Sequence, residues 1–274
     1  MPFLRIMRCG DVRARRDLME GVPDLVLCPR EFDLPQVVPH AVIIHLEAMV
    51  ETERPDDGSF DRGRIAGPGP LVFASLGTVA EEMPELAHGT RTAVLQGAAA
   101  HPTWRVLLCG PPMADAPANV TLVPRVPQVE VLRRADAMVT HTGLGSAKEC
   151  ICSGVPMVAM PLGYDQPGNA ARIQLHRVGH VIPPGPRNGT TAGPIIADVI
   201  TDRGCKARVI EIRASFLRSE REQDAIEVLL AGRTGPDPRA VDFWIERIGP
   251  AVRRAARPPV TLKRARRCAG GRSP

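Results

Sequence analysis

Residues 140–172 read THTGLGSAKECICSGVPMVAMPLGYDQPGNAAR, and this stretch decides the fold. A β-prone apolar run, Ala137–Thr140, leads into a turn carrying Gly143 and Gly145. A helix-forming segment, Ser146–Cys152, follows and stops at Gly154. A second apolar run, Pro156–Met160, leads through Gly163 into another helix-forming segment, Asn169–Val178, ended by Gly179. Apolar runs alternating with helical segments through short turns predict parallel strands joined by crossover helices.

The alternation continues in both directions. Upstream lie Leu71–Leu76, a helical stretch from Glu81 to Ala100, Arg105–Cys109 closed by Gly110-Pro111-Pro112, Val120–Val126, and a short helix over Val129–Ala135. Downstream, His180–Ile182 begins a sixth strand. Beyond it, Ala207–Leu230 is helix-forming and Val241–Ile248 predicts a last short helix. The strands are unbroken apolar runs, as expected where helices cover both faces. The fold class is therefore α/β, a doubly wound parallel sheet of Rossmann-like type. The alternation spans about residues 67–203, and the domain extends to 67–230. In such a sheet a ligand sits outside the carboxyl ends of the strands. The loops after Leu76, Cys109, Val126, Thr140 and Met160 are where chemistry is expected.

Residues 1–66 differ. Asp24–Cys28 and Val42–His45 predict two strands, and Glu51–Gly69 reads as a polar linker. The segment is short for a domain and reads as the truncated end of a larger one. Residues 231–274 form a basic tail. Its last part holds Arg253, Arg254, Arg257, Lys263, Arg264, Arg266, Arg267 and Arg272 without any acid, against a whole-chain net charge of +5. A solvated, partly disordered tail is the plain expectation. Weak peripheral contact with an anionic membrane is the sharper one.

Composition excludes several classes. With 44% hydrophobic and 24% charged residues among 274, the chain has enough apolar content for a packed core. No run approaches the roughly 18 apolar residues of a membrane helix. The first residues carry no secretory signal, so a cytoplasmic location is expected. At 3% aromatic residues, stacking on single-stranded nucleic acid is not expected. Seven scattered cysteines fit thiols in a reducing compartment, and Cys150 with Cys152 are too few to hold a metal.

The turn after Thr140 gathers His141, Gly143, Ser146 and Glu149. A helix N-terminus offers unpaired N–H groups and a positive dipole end, which together attract an anion. Ser146 adds a hydroxyl and His141 an imidazole donor. Glu149, one turn on, suits a ribose hydroxyl. The spacing reads as diphosphate plus ribose; a glycine-bearing turn with a capping serine and no ligand is the alternative. In the next loop, Asp165-Gln166 offers acceptors and donors side by side, as vicinal sugar hydroxyls require. Asp165 is equally placed to cap the following helix, with Pro167 in its first turn.

Val126-Pro127-Gln128, then His141-x-Gly143-x-x-Ser146-x-x-Glu149, then Asp165-Gln166 resembles the donor-binding signature of family 1 glycosyltransferases, which have the GT-B fold. Bacterial macrolide-type and carotenoid-type members look closest. Phe73–Thr78 resembles the strand and loop that open their C-terminal domain, and Pro23–Pro35 the end of their N-terminal domain. The resemblance implies inverting transfer of a sugar from a UDP-sugar or similar donor to a hydroxylated small-molecule or lipid acceptor, with no cofactor and no metal. It assigns the diphosphate to Ser75, Thr78, His141, Gly143 and Ser146. The nucleoside falls to Arg125, Val126, Gln128 and Glu149, and the sugar to Asp165 and Gln166. Where many members carry Trp before Val-Pro-Gln, this chain has Arg125, whose guanidinium can stack on a base. The resemblance places the general base in the N-terminal acceptor domain, of which residues 1–66 hold at most the end. An acceptor-binding protein subunit is thus one expected partner. A non-catalytic nucleotide-sugar-binding helper is the alternative from a different class, and a sugar-nucleotide epimerase is a third that the length disfavours.

Overall fold

In the computed structural model, which describes residues 24–35, 43–45, 48, 50–52, 60–182 and 189–222, the six apolar runs from Leu71 onward form one parallel sheet. Its strands are β3 (Leu71–Ser75), β4 (Arg105–Cys109), β5 (Val120–Val123), β6 (Ala137–Thr140), β7 (Met157–Ala159) and β8 (Gly179–Val181). Two short strands, β1 (Asp24–Val26) and β2 (Ile43–His45), form a separate two-stranded sheet. The connecting helices are α1 (Pro84–Ala100), α2 (Gln128–Leu132), α3 (Leu144–Ser153), α4 (Gln166–Leu175), α5 (Gly189–Thr201) and α6 (Arg203–Glu222). The expected helix at 241–248 and the basic tail lie outside the described residues. The described residues from Leu25 to Pro35 and from His45 to Glu222 belong to one compact unit. No helix among the described residues is long and apolar enough to cross a membrane.

Successive side chains of a strand point to opposite faces, and here both faces are covered. Val72, Ala74, Val106, Leu108, Val139 and Val158 pack in one apolar layer with residues of α1 and α5. Leu71, Phe73, Leu107, Met138 and Met157 pack in the other with residues of α3 and α6. That two-sided burial is why the strands read as unbroken apolar runs.

Several boundaries differ from expectation. β5 stops at Val123 rather than Val126, because Pro124 and Pro127 lack the N–H a sheet ladder needs. The helix expected from Glu81 starts at Pro84, preceded by a 3-10 turn over Thr78–Glu81. Proline at the first helical position explains the start. Gly179 does not end a helix but opens β8. A Cβ there would stand 2.1 Å from the Met157 carbonyl oxygen, so only glycine lets these backbones pair.

Helix α5 was not anticipated. Gly189, Gly193 and an internal Pro194 read as helix breakers. Tertiary packing overrides them: a Cβ on Gly97 would stand 3.1 Å from the Gly193 Cα, so α1 and α5 cross at backbone contact.

The segment before the sheet is tied to it by buried contacts. Phe32 is 0% exposed, with its ring 5.6 Å from Phe216 and 5.3 Å from His176. Cys28, Ala48, Phe60 and Ile65 join the same apolar layer. Lys148 on α3, itself buried, donates to the carbonyls of Leu27 and Ala48. Arg172 forks onto Asp33 Oδ1 at 3.0 and 2.7 Å. Burial alone would raise the Asp33 pKa. The Arg172 hydrogen bond, the Leu34 N–H and the charges of Arg172 and His45 outweigh it and hold the carboxyl below its ordinary value.

Candidate functional site

The strand order is β5-β4-β3-β6-β7-β8. The chain steps outward from β3 to β5, then returns to β6 and runs the other way. The reversal lies between β3 and β6, and a crevice opens there at the carboxyl ends. Ser75 pairs with Thr140 at the end of this ladder, so the loops carrying Gly77 and His141 leave the sheet side by side.

The His141 imidazole is wedged between these loops. A Cβ on Gly77 would stand 2.6 Å from its Cε1, and one on Gly143 would stand 2.7 Å from its Nε2. Gly77 also has φ 62° and ψ −167°, a conformation essentially reserved for glycine. The residue is 7% exposed, and Nδ1 is buried without a hydrogen bond. Burial lowers the His141 pKa. The Ser75 main chain, which faces the ring short of full hydrogen-bond geometry, and the Asp165 carboxylate act weakly the other way. The ring is therefore neutral at pH 7, with Nε2 the nitrogen that faces the two glycines.

Thr142 fixes the loop. It is 0% exposed with φ 69°, unusual for a β-branched residue. Its hydroxyl donates to the Gln166 carbonyl at 2.9 Å, and its own carbonyl accepts from Asn169 Nδ2 at 2.9 Å. The loops after β6 and β7 are thereby stitched together.

Helix α3 opens at Leu144, two residues before Ser146, with Gly143 at the cap position and no side-chain cap. Its first internal bond runs from the Ala147 N–H to the Gly143 carbonyl, so the N–H groups before it have no partner within the helix. Ser146 sits in that first turn. Gln128 Nε2, from the start of α2, donates to Ser146 Oγ at 3.2 Å and to Glu149 Oε2 at 2.7 Å. Three residues singled out in the sequence thus form one hydrogen-bonded cluster.

Asp165 and Gln166 part company. Asp165 stands at the cap position of α4, but its side chain makes no capping bond. The residue is exposed, and its carboxylate accepts from Asn169 Nδ2 at 2.8 Å; the same amide donates to the Thr142 carbonyl, which keeps Asp165 beside the loop after β6. Gln166 is 1% exposed, and its Oε1 accepts from the N–H groups of Leu162 and Gly163 at 2.7 and 3.1 Å. In this structure the amide shapes the loop rather than facing the crevice.

Ser75, Thr78, Arg125, Val126 and Gln128 line one cleft of about 1100 Å³. An adjoining space of about 1330 Å³ shares Thr78, Arg125, Val126 and Gln128 and adds Glu149. Residues 26–183 match the family of UDP-glucoronosyl and UDP-glucosyl transferases. This chain belongs to that family. The resemblance read from its motifs to family 1 glycosyltransferases is thereby borne out. An uncharacterized UDP-glucosyltransferase of Bacillus subtilis, YdhE, is 35% identical over 104 residues, 38% of this chain and 26% of that protein. The demethyllactenocin mycarosyltransferase of Streptomyces fradiae is 29% identical over 183 residues, 65% of this chain and 36% of its own. A solved kitacinnamycin glycotransferase superposes with a TM-score of 0.61 at 24% identity, covering 87% of this chain and 57% of that one. The fold is thus the GT-B glycosyltransferase type, of which this chain spans a part.

Within this member of the family, three site residues escaped sequence reading. Gly77 shapes the His141 niche, and its signal was the glycine directly after a strand. Thr142 holds the two loops together from inside a motif position read as variable. Tyr164, exposed and with φ 57°, donates from its hydroxyl to Glu82 Oε2 at 2.5 Å and joins the β7 loop to the loop before α1. That hydrogen bond and the Glu82 charge raise the phenol pKa.

Proposed function

We propose that this chain binds a nucleoside diphosphate sugar, UDP-linked, and presents it for inverting transfer to a hydroxyl of a small-molecule or lipid acceptor. The observation that carries the reading is the His141 imidazole held between Gly77 and Gly143 beside the uncapped α3 N-terminus. The unpaired N–H groups of α3, the Ser146 hydroxyl and Nε2–H meet the diphosphate oxygens. Glu149 accepts from the ribose hydroxyls, with Gln128 relaying between it and Ser146. Asp165 accepts from a sugar hydroxyl, and Gln166 does so once its amide turns outward.

The chemistry follows from charge. The acceptor oxygen bonds to the anomeric carbon from the face opposite the diphosphate. The bond from that carbon to the phosphate oxygen breaks with its electron pair, and the acceptor proton passes to a general base. Negative charge grows on the leaving phosphate, where the helix N-terminus and imidazole stabilise it most in the transition state. The base and the acceptor-binding surface belong to an acceptor-binding domain or subunit.

Calorimetric titration of UDP and UDP-glucose into the full chain tests the reading. Ser146→Ala and Glu149→Ala are each expected to weaken binding about tenfold, or ~1.4 kcal/mol. Parent-like affinity in both variants removes the donor site.

A pH dependence follows from His141. Burial keeps its pKa below the ordinary value in the free protein, and an adjacent diphosphate raises it. The complex then holds more protons than the free chain, so binding strengthens as pH falls. UDP-glucose affinity should rise between pH 8 and pH 6, with a slope no steeper than tenfold per pH unit for one proton. UDP-glucose is the right probe because its diphosphate has no terminal ionisation in that range. His141→Gln should flatten the profile; a slope that survives this change assigns the proton elsewhere.

A further inference from the structure

One charged group on the cleft wall has no role in this scheme. Arg91, on α1, lays its side chain across Gly110 at the carboxyl end of β4. A Cβ on Gly110 would stand 2.6 Å from Arg91 Nε and 3.2 Å from its Cζ. Nε is buried and makes no hydrogen bond. Glu81 lines the same cleft, yet no ion pair with Arg91 forms among the described residues. Burying this Nε without an acceptor is costly, and the partial burial of the half-exposed side chain lowers the Arg91 pKa while leaving it charged.

The cleft gives this group a direction. Gly77, against which the His141 ring is packed, stands at the diphosphate end of this cleft, and Gln128, hydrogen-bonded to Glu149, at the ribose end. The same cleft is also lined by the loop after β5, with Arg125 and Val126, and by Cys109 and Gly110 at the end of β4. Arg91 lines this same part of the cleft. We propose that Arg91 reads the base of the donor, donating to a carbonyl oxygen on its edge and thereby favouring uracil, thymine or guanine over the amino-bearing edges of cytosine and adenine. Guanidinium donors pair with base carbonyl acceptors and reject exocyclic amines, which are themselves donors. The inference rests on the reading of this cleft as a nucleotide-sugar site.

The test is titration of UDP, TDP, GDP, CDP and ADP into the full chain, parent and variants, with thermal unfolding to confirm that each is folded. The parent should bind UDP at least about tenfold more tightly than CDP. Arg91→Met should lower UDP affinity about tenfold and leave CDP nearly unchanged, so that the ratio approaches one. Arg91→Lys, which keeps one donor, should restore part of the ratio and serves as the variant to read if Arg91→Met does not fold. An unchanged UDP-to-CDP ratio overturns the proposal. A loss that is equal for every nucleotide and for inorganic pyrophosphate also overturns it, by moving Arg91 to the phosphates. Absence of binding by any of the five removes the donor reading and the proposal together, an outcome distinct from the other two.

Discussion

Alanine at position 77 is expected to lower UDP-glucose affinity by about a hundredfold, or ~2.7 kcal/mol, in a chain that still folds. Two effects combine. The backbone at Gly77 has φ 62° and ψ −167°, where a side chain costs about 1–3 kcal/mol. The added Cβ would also stand 2.6 Å from Cε1 and 2.9 Å from Nε2 of His141. Something must move. The imidazole is the softer element, because its Nδ1 makes no hydrogen bond that would hold it. Loss of affinity should therefore come through displacement of Nε2 from the α3 N-terminus rather than through unfolding. A double-mutant cycle separates the two routes. In a His141→Ala background the same glycine substitution should cost clearly less affinity, because the ring it displaces is gone and only the backbone strain remains. If Gly77→Ala binds UDP-glucose as the parent does, the niche does not position a diphosphate donor.

The contrast between Gly77 and Gly143 shows what sequence could and could not reveal. Gly143 stood inside a spaced set with His141, Ser146 and Glu149, so its position was legible. The reason for it was not: its backbone is ordinary, with φ −57°, and only the approach of the His141 ring forbids a side chain. The parallel sheet was legible because each strand is apolar on two buried faces, a local signature of a global arrangement. Helix α5 was not legible, since its justification is a backbone contact between Gly193 and Gly97, nearly a hundred residues apart in sequence. Gln166 illustrates the same limit. Its neighbour Asp165 is exposed, while its own amide oxygen turns inward to two N–H groups of the preceding loop. Chain order cannot distinguish those two orientations. Arg91 lacked any motif, and only its buried Nε without a hydrogen bond draws notice to it.

The part least legible in sequence carries the largest expected effect on stability. Phe32→Ala should destabilise the chain by about 3–5 kcal/mol, measured by urea unfolding of the full protein. Residues 1–66 read from the sequence as the truncated end of a larger domain, and on that reading alone a side chain there would matter little. The structure puts Phe32 at 0% exposure from a single 3-10 turn over Arg30–Phe32. Its ring meets Phe216 of α6 edge-on and lies 5.3 Å from the His176 ring just after α4. Removing it opens a void beside Phe216 and His176 in the apolar layer, and the neighbouring Arg172–Asp33 fork limits how far the turn can collapse into it. The fork itself is a weaker lever. Asp33→Asn keeps the shape and loses charge, and should cost about 1–3 kcal/mol because the Arg172 guanidinium is left with a poorer acceptor. A loss below about 1 kcal/mol for Phe32→Ala would detach this segment from the folding unit. The parallel sheet and its helices would then have to be stable alone.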